Sequence, residues 1–383
     1  MHIFSLPRVI YFLRMADILK DLQNGLSSLV SSLSKKPDSV IGVDIGSAAI
    51  KVVQLKKDKG RVVLETYGAV PTGPYANKKS GEMPTLSTEQ IVTAIVDVLT
   101  ESNITSKHAA LSLQATASLI FVVDLPGNIK ESQYETVVPT EARKYIPIPL
   151  SEVSLDWWVI PDQEYIASEK KAEKKEVLVV AVRNETLSEY RDVVKQANLD
   201  TKLFELEVFS MIRSSFGHEL EPVVLVDFGA RSVRVAIIEY GIVRVFHTVN
   251  RGSHHISQTM ATSLGVDFEK AEKLKQTEGL QSSNSDVLQV INTSLIYIFS
   301  EINSVLLQYE REYNKSIGKM LISGGGSRMP GFIEKTKQEF PFDVAHVAPF
   351  EKTVYPEFLK DILEASGPEF SIAIGLALKR LTL

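Results

Sequence analysis

The chain has 383 residues, which is enough for two or more domains with a substantial buried core. Its formal net charge of −5 gives no overall attraction to nucleic acid, so no nucleic-acid partner is expected. Cysteine is absent, which excludes disulfides, a catalytic thiol and thiolate metal sites. No apolar stretch of the sequence reaches the roughly 20 residues that a membrane-spanning helix needs.

Residues 1–38 are predicted to form an N-terminal extension that precedes the folded body. Apolar residues recur near helical spacing from Ala16 to Leu33, which predicts an amphipathic helix. A linker helix is favoured over a helix lying on a membrane surface. The polar break at residues 35–39 marks the expected start of the folded body.

The first motif is the turn Asp44–Gly46, which lies between two apolar runs and predicts a β-hairpin followed by a third strand at 61–70. Glycine there lets the backbone approach a phosphate, and successive amides form an anion cradle. Asp44 suits holding a metal-bound water, and Lys51 suits neutralising phosphate charge. The alternatives are an ordinary turn aspartate and an exposed strand lysine.

The middle of the chain is predicted to form a small inserted domain with a β-α-β-β-α order. A charged run at 167–175 is expected at a hairpin tip, and Pro147 and Pro149 end the first helix. The predicted strands are 118–125, 153–160 and 177–182, and the predicted helices are 131–145 and 187–197.

The hairpin motif repeats after Pro222, with the turn Asp227–Gly229 between strands. A repeated hairpin-led sheet predicts two related lobes with a cleft between them. Asp227 is the second candidate to hold a metal-bound water, and Arg231 is expected to face the phosphates. The predicted helices of this half are 253–264, 268–276, 287–312, 332–340 and 370–381.

Two further features of the second half are candidate ligand contacts. Gly324, Gly325 and Gly326 follow a predicted strand and permit flat approach of a base or ribose, although a turn that needs positive φ also favours glycine. Glu272 and Lys275 share a helix face, where spacing alone favours a surface ion pair. His254 and His255 lack a third ligand at metal spacing.

These motifs resemble those of the actin-like ATPase superfamily. Residues 44–47 and 227–230 resemble its two phosphate motifs, and 324–327 resemble its adenosine motif. Residues 271–275 are similar to the helix of the division protein FtsA that contacts ribose and adenine. The resemblance implies an α/β, actin-like (ribonuclease H-like) two-lobed ATPase fold that binds ATP, with Mg²⁺ held through water by Asp44 and Asp227. The implied nucleotide-binding residues are Gly46, Ser47, Ala48, Lys51, Gly229, Ala230, Arg231, Glu272, Lys275, Gly324, Gly325, Gly326, Ser327 and Met329.

The insertion and both ends of the folded body resemble a particular family. Residues 141–149 and 153–156 resemble the SHS2-type 1C subdomain of FtsA, and 43–53 and 373–378 are most similar to the PilM family of type IV pilus assembly proteins. The amphipathic membrane helix of FtsA is missing after the last predicted helix, which favours the PilM family. The implied division is 39–116 and 200–221 for subdomain 1A, 117–199 for the inserted 1C subdomain, 222–345 for lobe 2 (2A and 2B) and 346–383 for a return to lobe 1.

The resemblance implies an ATP-binding adaptor at the inner face of the cytoplasmic membrane. Its expected partner is the cytoplasmic tail of a PilN-type membrane protein, docked in a groove of 1A and 1C. PilO-type, platform and motor proteins would belong to the same complex. Membrane contact would run through these partners.

Two departures from the superfamily pattern make the chain at most a slow ATPase. Where other members have Glu-Pro to position the attacking water, Glu207 is followed by Val208, so Glu207 is the catalytic candidate. Arg231 stands where many members have a small residue. The alternative functions are an FtsA-like or MreB-like filament and a small-molecule kinase of the same superfamily, for which Asp124 is the candidate catalytic residue.

Overall fold

A computed structural model describes residues 39–382 except 80, 115–116, 161–173, 202 and 218–220. The helix predicted between Ala16 and Leu33 and most of the charged run at 167–175 lie outside the described residues.

The first lobe is built on a five-stranded sheet in the order β3-β2-β1-β4-β8. Its first three strands form the predicted antiparallel hairpin and its extension, and the last two run parallel to β1. Val40, Val43, Ile50 and Val52 are fully buried, as the apolar runs predict. The strands are β1 (Ser39–Ile45), β2 (Ala49–Asp58), β3 (Arg61–Pro71), β4 (Ala109–Leu113) and, after the insertion, β8 (Phe204–Leu206).

The second lobe repeats this arrangement, with the order β11-β10-β9-β12-β13. An antiparallel hairpin again leads the sheet, and two parallel strands again complete it. The predicted repeat is therefore confirmed at the level of sheet topology. The strands are β9 (Val223–Phe228), β10 (Val233–Glu239), β11 (Ile242–Val249), β12 (Lys319–Ser323) and β13 (Asp343–His346).

The described helices begin and end close to most of the predicted positions. Ser87 caps the first helix with the reciprocal hydrogen bonds of a capping box. The helices are α1 (Thr88–Glu101), α2 (Tyr134–Ala142), α3 (Asn184–Gln196), α4 (Glu207–Ser215), α5 (Ser253–Leu264), α6 (Phe268–Thr277), α7 (Ser285–Tyr313), α8 (Phe332–Glu339) and α9 (Lys360–Thr382).

The inserted sheet has the order β5-β7-β6, from β5 (Ser118–Pro126), β6 (Val153–Val159) and β7 (Lys174–Arg183). One face packs on α2, through residues such as Val123 and Val138. Leu178 and Val180 on the other face share a core with the first lobe and with Ala236 and Ile238 of the second lobe. The insertion therefore contacts both lobes.

The backbone of helix α9 packs very closely against β1 and α4 of the first lobe. A Cβ on Gly42 of β1 would lie 1.9 Å from the carbonyl oxygen of Ala373, and a Cβ on Gly375 would lie 1.9 Å from that of Ser210 in α4. The predicted helix at 370–381 is too short, because α9 begins at Lys360 and includes Pro368. Proline is disfavoured inside a helix, and the tertiary packing of α9 overrides this preference at Pro368.

Helix α7 is, among the described residues, the one helix long and apolar enough to cross a membrane by length and composition. Its mean hydropathy reaches 1.4 over 18 residues, although polar residues interrupt its apolar run. Its buried stripe, including Ile291, Leu295 and Ile298, packs in the core of the second lobe. That packing is the arrangement of a core helix.

Candidate functional site

A cleft of about 640 Å³ lies between the two hairpin-led sheets. Separate segments of both lobes line it, including the turns after β1 and β9 and the glycine turn after β12. Ser327 is absent from the lining: it is 1% exposed, and its hydroxyl donates to the Gly324 carbonyl at 2.7 Å. The other candidate residues all line the cleft: Asp44, Gly46, Ser47, Ala48, Lys51, Glu207, Asp227, Gly229, Ala230, Arg231, Glu272, Lys275, Gly324, Gly325, Gly326 and Met329.

The first turn presents a buried carboxylate with a lysine beside it. Asp44 is 2% exposed and lies opposite Lys51 in the hairpin register. The Lys51 ammonium is 3.5 Å from Asp44 Oδ2, and the Ser112 hydroxyl donates to Asp44 Oδ1 at 3.0 Å. The register thus brings Lys51 to the turn, where it can offset phosphate charge.

The second turn repeats this geometry with a residue that sequence reasoning missed. Arg234 lies opposite Asp227 in the hairpin, just as Lys51 lies opposite Asp44. Each cation follows its aspartate by seven residues, and this shared spacing was the available signal. Arg231, which the sequence favoured, lines the cleft as an exposed residue.

The Arg234 guanidinium is shared between two carboxylates. Its Nη1 donates to Asp227 Oδ2 at 2.5 Å and lies 3.0 Å from Glu207 Oε2. Burial acts to lower the pKa of Arg234, but the charges of Glu207, Asp227 and Asp44 outweigh it, so the pKa is raised. Arg234 is therefore a permanent cation in the floor of the cleft.

Glu207 begins helix α4 and is 1% exposed. It lines the same cleft as Asp44 and Asp227, although the three residues come from separate segments of the chain. Its carboxylate is held by Arg234, so its proposed role in positioning water stays a prediction.

Two buried donors in the cleft lack an acceptor within the described part of the chain. They are the Ser232 hydroxyl and the Arg234 Nε–H. Both residues line the cleft, and Ser232 is 2% exposed. Buried donors are almost always paired in folded proteins, so these two fit a ligand with acceptor oxygens, such as a phosphate.

The three glycines after β12 differ in what a side chain at each position would contact. Gly324 has φ +89°, and its Cβ would lie 2.5 Å from Asp227 Oδ1. A Cβ on Gly326 would lie 2.3 Å from the Phe228 ring. At Gly325 the nearest atom would be Glu369 Oε2, at an ordinary 3.6 Å. Close packing within the protein therefore excludes a side chain at Gly324 and Gly326. Of the three, Gly325 alone has open space in front of its backbone.

Glu272 and Lys275 form a largely buried ion pair and not the surface pair that spacing alone favours. Their side chains are 14% and 6% exposed, with 2.7 Å between Glu272 Oε2 and the ammonium. Ser257 and Gln276 also donate to Glu272, at 2.5 and 2.7 Å. Burial acts to raise the pKa of Glu272, but Lys275 and these donors lower it overall. Burial lowers the pKa of Lys275, partly offset by Glu272.

Replacing Glu272 with glutamine is expected to lower the free energy of unfolding by about 1–3 kcal/mol at neutral pH, because Lys275 loses its buried partner. The lowered pKa means that the carboxylate stabilises the fold above its ordinary value of 4.5 and loses this effect as pH falls through the folded-state pKa. The difference between variant and wild type should therefore shrink below pH 4.5 in urea unfolding.

Glu269→Gln is the matched control, because Glu269 lies on the same helix and its ion pair with Lys79 is exposed. A Glu272→Gln deficit that persists unchanged at acid pH would contradict the assignment.

The cleft fits a phosphate better than it fits a magnesium ion. No group of three or more His, Asp or Glu residues in the described ranges is arranged to hold a metal directly. Asp44 keeps only a loose contact with Lys51, but Asp227 is tightly bound by Arg234. The predicted water-mediated site at Asp44 and Asp227 stays a prediction, and the guanidinium competes with it at Asp227.

Two sheets of matching topology, a cleft between their hairpin turns and an inserted three-stranded unit define the two-lobed actin-like ATPase fold with an SHS2-type insertion. Residues 42–381 match the family model of the type IV pilus assembly protein PilM. The chain therefore belongs to the PilM family of type IV pilus assembly proteins.

Solved structures show the same fold. The PilM–PilN type IV pilus biogenesis complex superposes with a TM-score of 0.77 at 21% identity, covering 91% of this chain and 99% of that chain. The ethanolamine utilization protein EutJ from Carboxydothermus hydrogenoformans gives a TM-score of 0.51 at 15% identity, covering 94% and 98%.

A curated relative, the cell division protein FtsA of Helicobacter pylori, is 26% identical over 183 residues, which span 41% of this chain and 37% of the relative. The match thus covers well under half of that protein's length.

Proposed function

We propose that this chain is an ATP-binding adaptor of the type IV pilus inner-membrane complex. The observation that carries the proposal is the cleft, where both phosphate-type turns, the open backbone at Gly325 and two unpaired buried donors meet. The PilM–PilN structure supports a PilN-type membrane protein as the partner. The adaptor would then act at the inner face of the cytoplasmic membrane, held there by that partner.

The residues of the cleft suit an ATP molecule that bridges the lobes. The turns at Gly46 and Gly229 line the cleft, where glycine lets the backbone approach the phosphates, and Lys51 and Arg234 offset the phosphate charge. The Glu272–Lys275 pair and Gly325 line the part of the cleft assigned to the adenosine. ATP supplies oxygens that both lobes can bind at once, so it favours closure to the extent that it binds the closed state better.

Turnover of ATP is not needed for this role. Glu207 is the candidate to position water, but Arg234 already holds its carboxylate. We therefore assign ATP the role of a structural or switching ligand, with hydrolysis slow at most.

A second cavity suits the tail of the partner. It has a volume of about 420 Å³ and lies where the inserted sheet meets helix α3, which packs on α1 of the first lobe. Leu119, Ile146 and Ile148 supply apolar walls, and Arg183 supplies a charged rim. Such a groove fits an extended peptide with apolar side chains and an acidic group.

The insertion offers a physical route between the two sites. Its β7 residue Glu176 forms an ion pair with Arg244 of the second lobe, and Arg244 Nε donates to Glu239 at 3.0 Å. The apolar face of the inserted sheet packs on the same lobe. Movement of the second lobe would therefore displace the wall of the peptide groove. PilO-type, platform and motor proteins complete the proposed complex and would be reached through the PilN-type protein.

Replacing Leu119 with aspartate should weaken binding of the tail by about tenfold or more, because a charge would enter the apolar groove. The probe is a synthetic peptide of the cytoplasmic tail of the PilN-type protein from the same organism, titrated calorimetrically. Leu307→Asp is the matched control, since Leu307 of α7 is 42% exposed and Leu119 is 39% exposed. Equal weakening by both variants, or by neither, would reject the groove as the docking site.

The candidate catalytic residue of the kinase alternative, Asp124, lies outside the cleft lining. Asp124 lies on the inserted sheet and pairs with Lys174 at 3.1 Å. The filament alternative is tested by sedimentation with ATP, where pelleting of the chain would favour a polymer over the adaptor.

A further inference from the structure

Arg234 occupies a position in the cleft that gives it a role beyond a structural ion pair. Its Nη1 is held between Asp227 and Glu207, while its buried Nε–H has no acceptor in the described residues. The neighbouring Ser232 hydroxyl is unpaired in the same way. The guanidinium of this cleft residue is thus fixed by two carboxylates and keeps one buried donor with no acceptor among the described residues.

We propose that Arg234 is a built-in cation of the nucleotide site, which binds the terminal phosphates and takes the place of magnesium at Asp227. Nucleotide binding by this chain then needs no divalent ion. The inference rests on the proposed nucleotide function and specifies how the phosphates are held.

The charges of the cleft support this assignment. Asp44, Asp227 and Glu207 are all buried and would repel the phosphates of a nucleotide. Lys51 and Arg234 contact all three carboxylates and reduce the formal charge of the group from −3 to −1. A guanidinium keeps its charge at any physiological pH and offers N–H donors in a fork that matches phosphate oxygens. It can therefore serve where a metal ion would otherwise offset the charge.

The two turns differ in a way that makes Arg234 the decisive residue. Lys51 Nζ lies 3.5 Å from Asp44, whereas Arg234 Nη1 lies 2.5 Å from Asp227 and also contacts Glu207. An ion that bound Oδ2 of Asp227 directly would have to compete with the guanidinium for that oxygen. The same contact occupies an oxygen of Glu207, which accords with slow hydrolysis.

The test is calorimetric titration of the full chain with ATP, once in excess MgCl₂ and once in EDTA. We expect the two wild-type dissociation constants to agree within about threefold, and that of Arg234→Gln to be at least about tenfold weaker in EDTA than in MgCl₂. A wild-type constant more than about tenfold weaker in EDTA would overturn the inference. Binding in neither buffer would reject the nucleotide function itself.

Two further variants control for the general effect of an Arg→Gln change and for misfolding. Arg61→Gln makes the same change at the exposed first residue of β3 and should bind ATP as the wild type does in both buffers. Arg234→Gln leaves two buried carboxylates without their cation, so its folding is checked by thermal unfolding. If it does not fold, Glu207→Gln/Arg234→Gln removes one charge of each sign and should show the same dependence on magnesium. A folded double variant that binds equally well in both buffers would contradict the role of Arg234.

Discussion

Replacing Gly375 with alanine is expected to destabilise the chain by about 3 kcal/mol, at the upper end for an overpacked core. Helix propensity alone predicts the opposite, because alanine stabilises a helix interior by about 1 kcal/mol relative to glycine. The added Cβ would lie 1.9 Å from the Ser210 carbonyl oxygen, so α9 and α4 would have to separate. Arg213 donates to both Glu205 and the Gly375 carbonyl, and this buried network would be strained as well.

Urea unfolding at neutral pH measures the effect. Gly325→Ala is the matched control, because its Cβ would meet nothing closer than 3.6 Å. A Gly375→Ala variant as stable as the wild type would show that the close packing of α9 on α4 is wrong.

Replacing Gly325 with valine is expected to weaken ATP binding by roughly a hundredfold while changing the unfolding free energy by less than about 1 kcal/mol. The backbone at Gly325 lines the cleft, and the protein leaves open space in front of it. A branched side chain would fill the space assigned to the adenosine. Titration with ATP measures the first effect, and urea unfolding measures the second.

Gly326→Ala separates packing from binding. Its Cβ would lie 2.3 Å from the Phe228 ring, so this variant should lose stability even though it makes a smaller change. If Gly325→Val binds ATP as tightly as the wild type, the open space at Gly325 does not hold the nucleotide.

The local parts of the fold could be predicted from the sequence because they depend on short patterns. The turns at Asp44 and Asp227, with their flanking apolar runs, predicted both hairpins and hence the repeated sheets. Strands β8 and β13 were not predicted. They have three and four residues, too few to show a period, and pairing with a distant strand decides them.

Parts of the candidate site depended on tertiary contacts that the sequence does not display. The spacing of Glu272 and Lys275 predicts a surface ion pair. The pair is largely buried because of how α6 packs in the folded chain. The seven-residue spacing pairs Arg234 with Asp227, but its second contact, with Glu207, joins separate segments that the sequence does not bring together. The contact of the inserted sheet with the second lobe joins residues far apart in the chain, such as Glu176 and Arg244.

Our central proposal is that the cleft binds ATP as a structural or switching ligand, without rapid hydrolysis. The most direct test is calorimetric titration of the wild-type chain with ATP, followed by an assay of the same sample for ADP. We expect one ATP bound per chain, with little ADP formed over the course of the titration. Rapid formation of ADP would contradict the adaptor role, and the absence of any binding would contradict the assignment of the cleft.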